Sequence, residues 1–562
     1  MRVSRTVLSR LAFWRTSKTR ASGEAQKERR QNRIARWRQA GLMLGMGVLS
    51  ALALPPVHFL PILLITFPAL GRVLNRAPSW KNAAWAGAVF GFGFYAANLY
   101  WLVNAVMIRA EEFWWFVPFP SLGCALILAP MVAAPAALCR LAPAGPRRML
   151  AFAASWTLFD MGRVFLFSGF TWNPLGSSLA IPGTVGDVFI QPAAWIGVDG
   201  LTFFVVLGAL FGGEALQDAF RTRTGRPCQL FPRRADRLRV AACAALIIAI
   251  SLTASMVRLR TVHPAGESGP ITVLVQGNVP ETEKVGHLNP RDIFMRYLHL
   301  TADSVLQARD QRPHPAFPDA ITRPIVFLWP ETSFPGSSLL QDSPRARQII
   351  MEWAPGADAG LIGALRVGED GRYRNSVLAL TPNGDIAAFY DKARLVPFGE
   401  YQPPFIPLQI VPQGGMAAGP GAQTWHLPGI PAVGPLVCYE VIFSGLTVDE
   451  HDRPRWLANV TNDGWFGDSA GPRQHLSSVR LRAVEEGLPI ARAANTGISI
   501  AYDGFGHELA RLGWGKTGTL VVPLPAALPT PLFAQYGRRL PALLSLAAFL
   551  AALIRPRRKL KT

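Results

Sequence analysis

The sequence predicts an α-helical membrane bundle joined to an α/β domain. Three observations lead there. Half of the 562 residues are hydrophobic and the mean hydropathy is +0.22, high for a water-soluble chain. Apolar stretches crowd residues 40–256 and recur at 540–554, near the roughly 20 helical residues that span a ~30 Å hydrocarbon core. Between them, from Pro270 to about Pro523, short β-branched runs alternate with helical stretches, the pattern of a layered α/β structure.

Taken in order, a basic leader occupies residues 1–39 and is expected to stay in the cytoplasm. Spans are expected at Ala40–Leu54, Val57–Leu74, Ala83–Val106, Trp114–Leu138, Leu150–Phe167, Phe189–Leu210 and Val240–Met256. These give a seven-span membrane domain over 40–257. The first span resembles a signal peptide, with Ala51-Leu-Ala53 at its end. Its long basic region and the apolar span that follows at once argue for a retained anchor. The α/β domain is expected over 270–525. Its strands are read at Ile271–Gln276, Ile325–Trp329, Gly360–Ala364, Ser376–Thr381, Pro435–Cys438, Leu457–Val460, Ile498–Tyr502 and Thr519–Val522. Its helices are read at Arg291–Arg309, Ser343–Trp353 and Gln474–Glu486. An eighth span, Leu540–Ile554 within 539–555, precedes a basic cytoplasmic tail at 556–562.

The net charge of +21 invites a nucleic-acid partner, but the placement of the charge argues against one. Twelve Lys/Arg lie in Met1–Arg38, seven in Arg221–Arg239 and five in Arg555–Thr562, each beside an apolar run. Basic residues accumulate on the cytoplasmic ends of spans. The loop Ser168–Val188, which the span count places outside, contains no Lys or Arg. The α/β domain is therefore expected outside as well. Asp160 and Arg163 fall inside one expected span, three residues apart and on one face; they read as an interhelical pair that positions helices.

Five cysteines, Cys124, Cys139, Cys228, Cys243 and Cys438, show no paired spacing, so neither a disulfide framework nor a zinc site is expected. The nine His are scattered without ligand spacing, and no phosphate-cradling glycine loop is present, so no metal and no cofactor are expected. Cys438 alone lies in the polar half. Two other acid–base residues precede it at apparent strand ends: Glu331 in Phe327-Leu-Trp-Pro-Glu331 and Lys392 in Tyr390-Asp-Lys392. A carboxylate, an ammonium and a thiol can form an activated nucleophile with a base and a charge stabiliser beside it. Each residue has a plainer reading when taken alone. Glu331 could be a helix-start carboxylate, Lys392 a surface charge, and Glu400 a partner of Arg394. Tyr439 and Glu440 could serve packing and an ion pair, and Trp465 reads as packing, with a substrate contact as the alternative.

In order and in their phrases, these residues resemble a carbon–nitrogen hydrolase domain of the nitrilase superfamily, which carries Glu, Lys and Cys in this sequence. Leu395-Val-Pro-Phe-Gly-Glu400-Tyr-Gln-Pro403, Asn462-Asp-Gly-Trp465-Phe-Gly-Asp468, Phe170-Thr-Trp172-Asn-Pro-Leu-Gly176 and the seven-plus-one spans narrow the resemblance to the apolipoprotein N-acyltransferases. The resemblance implies an αββα sandwich and a triad of Glu331 as base, Lys392 as oxyanion stabiliser and Cys438 as nucleophile. Glu400, Tyr439 and Glu440 match the family's supporting residues. It also implies a phospholipid acyl donor, a diacylglyceryl apolipoprotein acceptor, and a bacterial inner membrane with the catalytic domain in the periplasm. One departure is visible: where many members carry a Trp after the lysine matching Lys284, this chain has Val285. The apolar segment Pro403–Ala418 reads as an arm that dips toward the membrane. A membrane-tethered amidase, or a transporter with a degenerate outer domain, are the competing readings.

Overall fold

The computed structural model describes residues 27, 30–108, 111, 114–117, 119–221, 234–285, 289–311, 323–336, 338–402 and 415–554. The eleven strands are β1 (Ile271–Gln276), β2 (Ile325–Trp329), β3 (Ala359–Val367), β4 (Tyr373–Leu380), β5 (Ile386–Asp391), β6 (Val433–Val437), β7 (Trp456–Thr461), β8 (Ile490–Ala494), β9 (Ser499–Tyr502), β10 (Glu508–Leu512) and β11 (Gly518–Pro523). They form two mixed sheets. The first runs β11-β1-β2-β3-β4-β5 and the second β10-β9-β8-β7-β6. β1, β2 and β3 are parallel neighbours, as are β6, β7 and β8.

The central strands read as continuous apolar runs because both faces are covered. Every residue of β1, β2, β6, β7 and β8 is buried. One core lies between the sheets, where Leu274, Leu328 and Val377 meet Val437, Trp456 and Ala493. On the far side of the first sheet, Tyr297 and Val305 of the Pro290–Asp310 helix and Ile350 of the Pro344–Glu352 helix pack on Val273, Phe327 and Trp329. On the far side of the second sheet lies the Ala470–Glu486 helix. The Ser469 side chain caps its start by accepting from the Gly471 N–H, and Gly487 ends it in the left-handed region. The layers are thus αββα.

Every residue of the Ala470–Glu486 helix but Arg473 is buried, although it carries Gln474, His475, Arg480, Arg482, Glu485 and Glu486. Its other neighbour is the helical bundle, and an apolar core continues from Phe67, Phe90 and Trp156 of the bundle into Tyr439, Val441 and Val479. Among the described residues, three helices are long and apolar enough to cross a membrane: Trp114–Leu141, Ala193–Gln217 and Ala244–Thr261. A fourth crossing arises if Trp80–Asn98 and Tyr100–Met107, bent by 55°, act together. Shorter helices stand at other expected spans, among them Leu63–Arg76, Pro146–Gly162 and Arg539–Leu553. Small residues let these helices approach: a Cβ on Gly87 would lie 2.6 Å from that of Ala136 on the facing helix.

Several sequence expectations change here. β5, β8 and β10 are strands that the sequence reading lacks, and Cys438 lies just past β6 rather than inside it. Asp160 and Arg163 pair within one helical turn at 2.7 Å, not between helices. Arg163 instead spends a second nitrogen on the Trp172 carbonyl at 2.9 Å, which fastens the following loop.

Candidate active site

Glu331, Lys392 and Cys438 follow the C-terminal ends of β2, β5 and β6, and the two facing sheets bring them together. All three are buried, with relative exposures of 7%, 1% and 6%. Close approach at the base depends on Gly363 of β3, where a Cβ would stand 2.2 Å from the Pro330 carbonyl oxygen. The Lys392 Nζ lies 3.9 Å from Glu331 Oε1 and 2.7 Å from Glu400 Oε2. Asn375, on β4, donates to Glu331 Oε1 at 2.6 Å and to Glu400 Oε1 at 2.7 Å. Glu400 also accepts from the Val396 N–H at 2.9 Å. Glu331 Oε2 has no hydrogen-bond partner among the described residues, while the Cys438 thiol acts on the carboxyl as a donor that lowers its pKa.

Burial pushes the Cys438 thiol well above its ordinary range, and the Glu331 charge pushes it further; Lys392 opposes both. The resting thiol is therefore protonated and needs a base at the moment of attack. Burial also raises the Glu331 carboxyl, against the pull of Lys392, which makes it a stronger base than an exposed glutamate. Burial alone would lower Lys392, but the Glu400 and Glu331 carboxylates outweigh it and hold the ammonium charged. A permanent cation beside a thiol and a base can steady a negative oxygen as it develops.

The turn carrying Cys438 has a left-handed backbone, φ +48°, of the kind that concentrates at functional sites because surrounding structure must hold it. Glu440 is part of that hold. Its Oε1 accepts from Tyr390 Oη at 2.7 Å and the Ala393 N–H at 2.8 Å, and its Oε2 from the Val437 N–H at 2.9 Å. Glu440 thus ties the residue after Lys392 to the residue before Cys438, and among the described residues it forms no ion pair. Tyr439 turns toward the bundle, donates to the Gly169 carbonyl and stacks on Trp172 at 6.4 Å. Trp172 and Trp101 both donate their indole N–H to Gln474 Oε1, at 2.8 and 3.0 Å. The loop carrying Trp172 therefore brackets the nucleophile turn against the bundle.

Comparison with known proteins places the chain in a family. Over 541 residues, 93% of this chain and 96% of the relative, the chain is 34% identical to an apolipoprotein N-acyltransferase of Rhodopseudomonas palustris. The chain belongs to the apolipoprotein N-acyltransferase family. A second member, from Bradyrhizobium diazoefficiens, is 35% identical over 92% of this chain and 95% of its own. The family model for the apolipoprotein N-acyltransferase N-terminal domain matches residues 46–211, and the carbon–nitrogen hydrolase model matches 328–530. An amidase from Nesterenkonia sp. aligns at 20% identity and TM-score 0.34, over 50% of this chain and 98% of its own. The chain is accordingly a membrane acyltransferase with a nitrilase-like α/β domain.

Measured against the sequence reading, Lys392 is not a surface charge, and Glu400 pairs with Lys392 rather than Arg394, whose guanidinium lies over the Phe443 ring at 4.7 Å. Trp465, expected to pack, is 38% exposed in the Asp463–Phe466 turn; its neighbour Phe466 does the packing, against Trp101 at 4.7 Å. Val285 ends the Glu281–Val285 helix, and residues 403–414 of the proposed arm lie outside the described residues. Among the described residues no group of three or more His, Cys, Asp or Glu side chains is placed to hold a metal. Asn375, Asp463, His475 and Arg492 also surround the site; Asp463 falls in the Asn462–Asp468 phrase and His475 in the expected Gln474–Glu486 helix, whereas Asn375 and Arg492 lie outside every element read from the sequence.

Proposed function

We propose that this acyltransferase moves an acyl chain from a membrane phospholipid to the α-amino group of the N-terminal diacylglyceryl-cysteine of an apolipoprotein, through a thioester on Cys438. The observation that carries the reading is the convergence of Glu331, Lys392 and Cys438 in one buried site, with the cysteine on a left-handed turn. In the first half-reaction Glu331 takes the thiol proton as the sulfur attacks the ester carbonyl. The tetrahedral oxyanion forms beside Lys392 and a backbone N–H near Tyr439. Collapse breaks the bond to glycerol, and Glu331 returns the proton to the departing alkoxide, releasing a lysophospholipid. In the second half-reaction the acceptor amine attacks the thioester, Glu331 takes its proton, and the C–S bond breaks to regenerate the thiol.

Glu400 supports the site by fixing Lys392, and Glu440 and Tyr439 position the turn; Trp465, exposed in the Asp463–Phe466 turn, is a substrate contact in this reading. The deep burial of the trio favours an amine brought by a lipid-anchored acceptor over bulk water. The enzyme works in the inner membrane of a bacterial cell, with its α/β domain in the periplasm, without a cofactor or metal.

The test is purified full-length protein given phospholipid and no acceptor. The expected result is one acyl chain added to Cys438, released by neutral hydroxylamine, and parallel-line kinetics when acceptor is supplied. Steady production of free fatty acid without a mass shift on Cys438 would instead identify a hydrolase and end the acyltransfer mechanism.

A further inference from the structure

The left-handed backbone at Cys438 costs a non-glycine residue on the order of 1–3 kcal/mol and persists only where its surroundings over-determine it. Glu440 holds the end of β6 before it, through the Val437 N–H. The peptide after it is held from the opposite side. His475 Nε2 lies 3.1 Å from the Cys438 carbonyl oxygen. A carbonyl oxygen only accepts, so Nε2 carries the proton of that bond. The imidazole is itself fixed: Nδ1 stands 2.9 Å from Asp463 Oδ1. Asp463 Oδ2 is 2.6 Å from Arg492 Nη2, which also approaches His475 Nδ1 at 3.3 Å, and Arg492 Nη1 donates to Asn459 Oδ1 on β7 at 2.8 Å. His475, Asp463, Asn459 and Arg492 are all fully buried. The Arg492 charge, helped by the His475 contact, outweighs burial and holds the Asp463 carboxyl at about 2, so the ring is oriented by an anion, while burial and the Arg492 charge lower the pKa of the ring itself.

We propose that His475 is a positioning residue for the acyl-transfer reaction: its Nε2–H holds the Cys438 peptide, and with it the direction of Sγ, while Asp463 and Arg492 lock the ring. Nothing in the half-reactions above requires His475 to meet substrate. The Gln474 side chain next to it is anchored by two tryptophans of the bundle, so the same helical turn ties the nucleophile to the membrane half. The inference rests on Cys438 being the nucleophile.

Two polar replacements of similar size separate positioning from bulk. Glutamine can place an amide N–H where Nε2 stands; asparagine reaches only as far as Nδ1. Full-length H475Q and H475N are compared for kcat and KM in proteoliposomes, and for the rate of Cys438 alkylation by iodoacetamide. H475N is expected to lose about 10²-fold in kcat with an unchanged KM, the scale of a ~1 Å misplacement of a reacting atom. H475Q is expected to recover most of that loss, within about tenfold of the parent enzyme. Alkylation should follow the same order. Equal activity of the two variants, whether both fast or both slow, overturns the proposal, as does a failure of both to fold, which would make His475 a folding residue. The underlying reading fails separately, if C438A retains transfer activity.

Discussion

Glu440→Gln probes the joint between the cation and the nucleophile. The carboxylate accepts from Tyr390 Oη, the Ala393 N–H and the Val437 N–H, with a longer contact of 3.3 Å from the Arg394 N–H. Whichever oxygen becomes an NH₂ then faces N–H or O–H donors instead of accepting from them. Each bond to a charged acceptor contributes about 1.5–3 kcal/mol, and each orphaned buried donor costs about 1–3 kcal/mol. Burial raises the Glu440 carboxyl, so a neutral amide recovers part of the desolvation cost. A net loss of about 3 kcal/mol follows, or roughly 6–12 °C in the melting temperature of a domain this size. Ala393 adjoins Lys392 and Val437 adjoins Cys438, so kcat should fall by about tenfold or more while the lipid KM holds, as expected when only transition-state geometry is lost. The assay is a thermal melt of the detergent-solubilised enzyme beside transfer kinetics in proteoliposomes. A melt within about 2 °C of the parent and a kcat within about twofold would refute the reasoning, because the orphaned donors would then cost nothing.

Glu331→Gln, Lys392→Ala and Cys438→Ala should each abolish transfer with the protein still folded, and the triple variant should be no worse than the singles; a much slower triple variant in a transfer assay would break the concerted scheme. Activity should fall in acid as Glu331 protonates, and its acid limb should sit above the ordinary carboxylate range because burial raises that pKa. Asn375→Ala removes a donor that favours the carboxylate, so the limb of kcat against pH should move to higher pH; a fixed or lowered limb contradicts the assignment of Glu331 as base. Reporter fusions after Arg258 and after Thr562 should report opposite sides of the membrane; matching signals would sink the eight-span reading.

Most of the strands were legible because central strands buried on both faces leave uninterrupted β-branched runs, as in Ile271–Gln276 and Ile325–Trp329. β5 and β10 escaped detection: they stand at sheet edges with half-exposed, mixed sequences, Ile-Ala-Ala-Phe-Tyr-Asp and Glu-Leu-Ala-Arg-Leu. β8, Ile-Ala-Arg-Ala-Ala, is buried throughout but has a charged residue at its centre, which sequence patterning reads as a break. That Arg492 is tolerated because Asp463 and Asn459 meet it in the interior, a pairing between residues distant along the chain.

The sequence by itself determined the division into membrane bundle and α/β domain, since hydropathy and β-branched runs are local properties. It also determined the order Glu331, Lys392, Cys438, with phrases specific enough to name the family. Only the tertiary structure decided what surrounds them. Lys392 is an interior cation because Glu400, from the turn that follows β5, meets it and is itself held by Asn375 of β4. Glu440 is a fourfold acceptor because β5 and β6 end beside each other. The polar Ala470–Glu486 helix is buried because the bundle closes over it and partners such as Trp172, Val198 and Ser444 take its side chains. Local sequence records what a residue can donate, accept or bury; whether it does so depends on long-range neighbours, which hydrogen-bond satisfaction in a buried interface must supply.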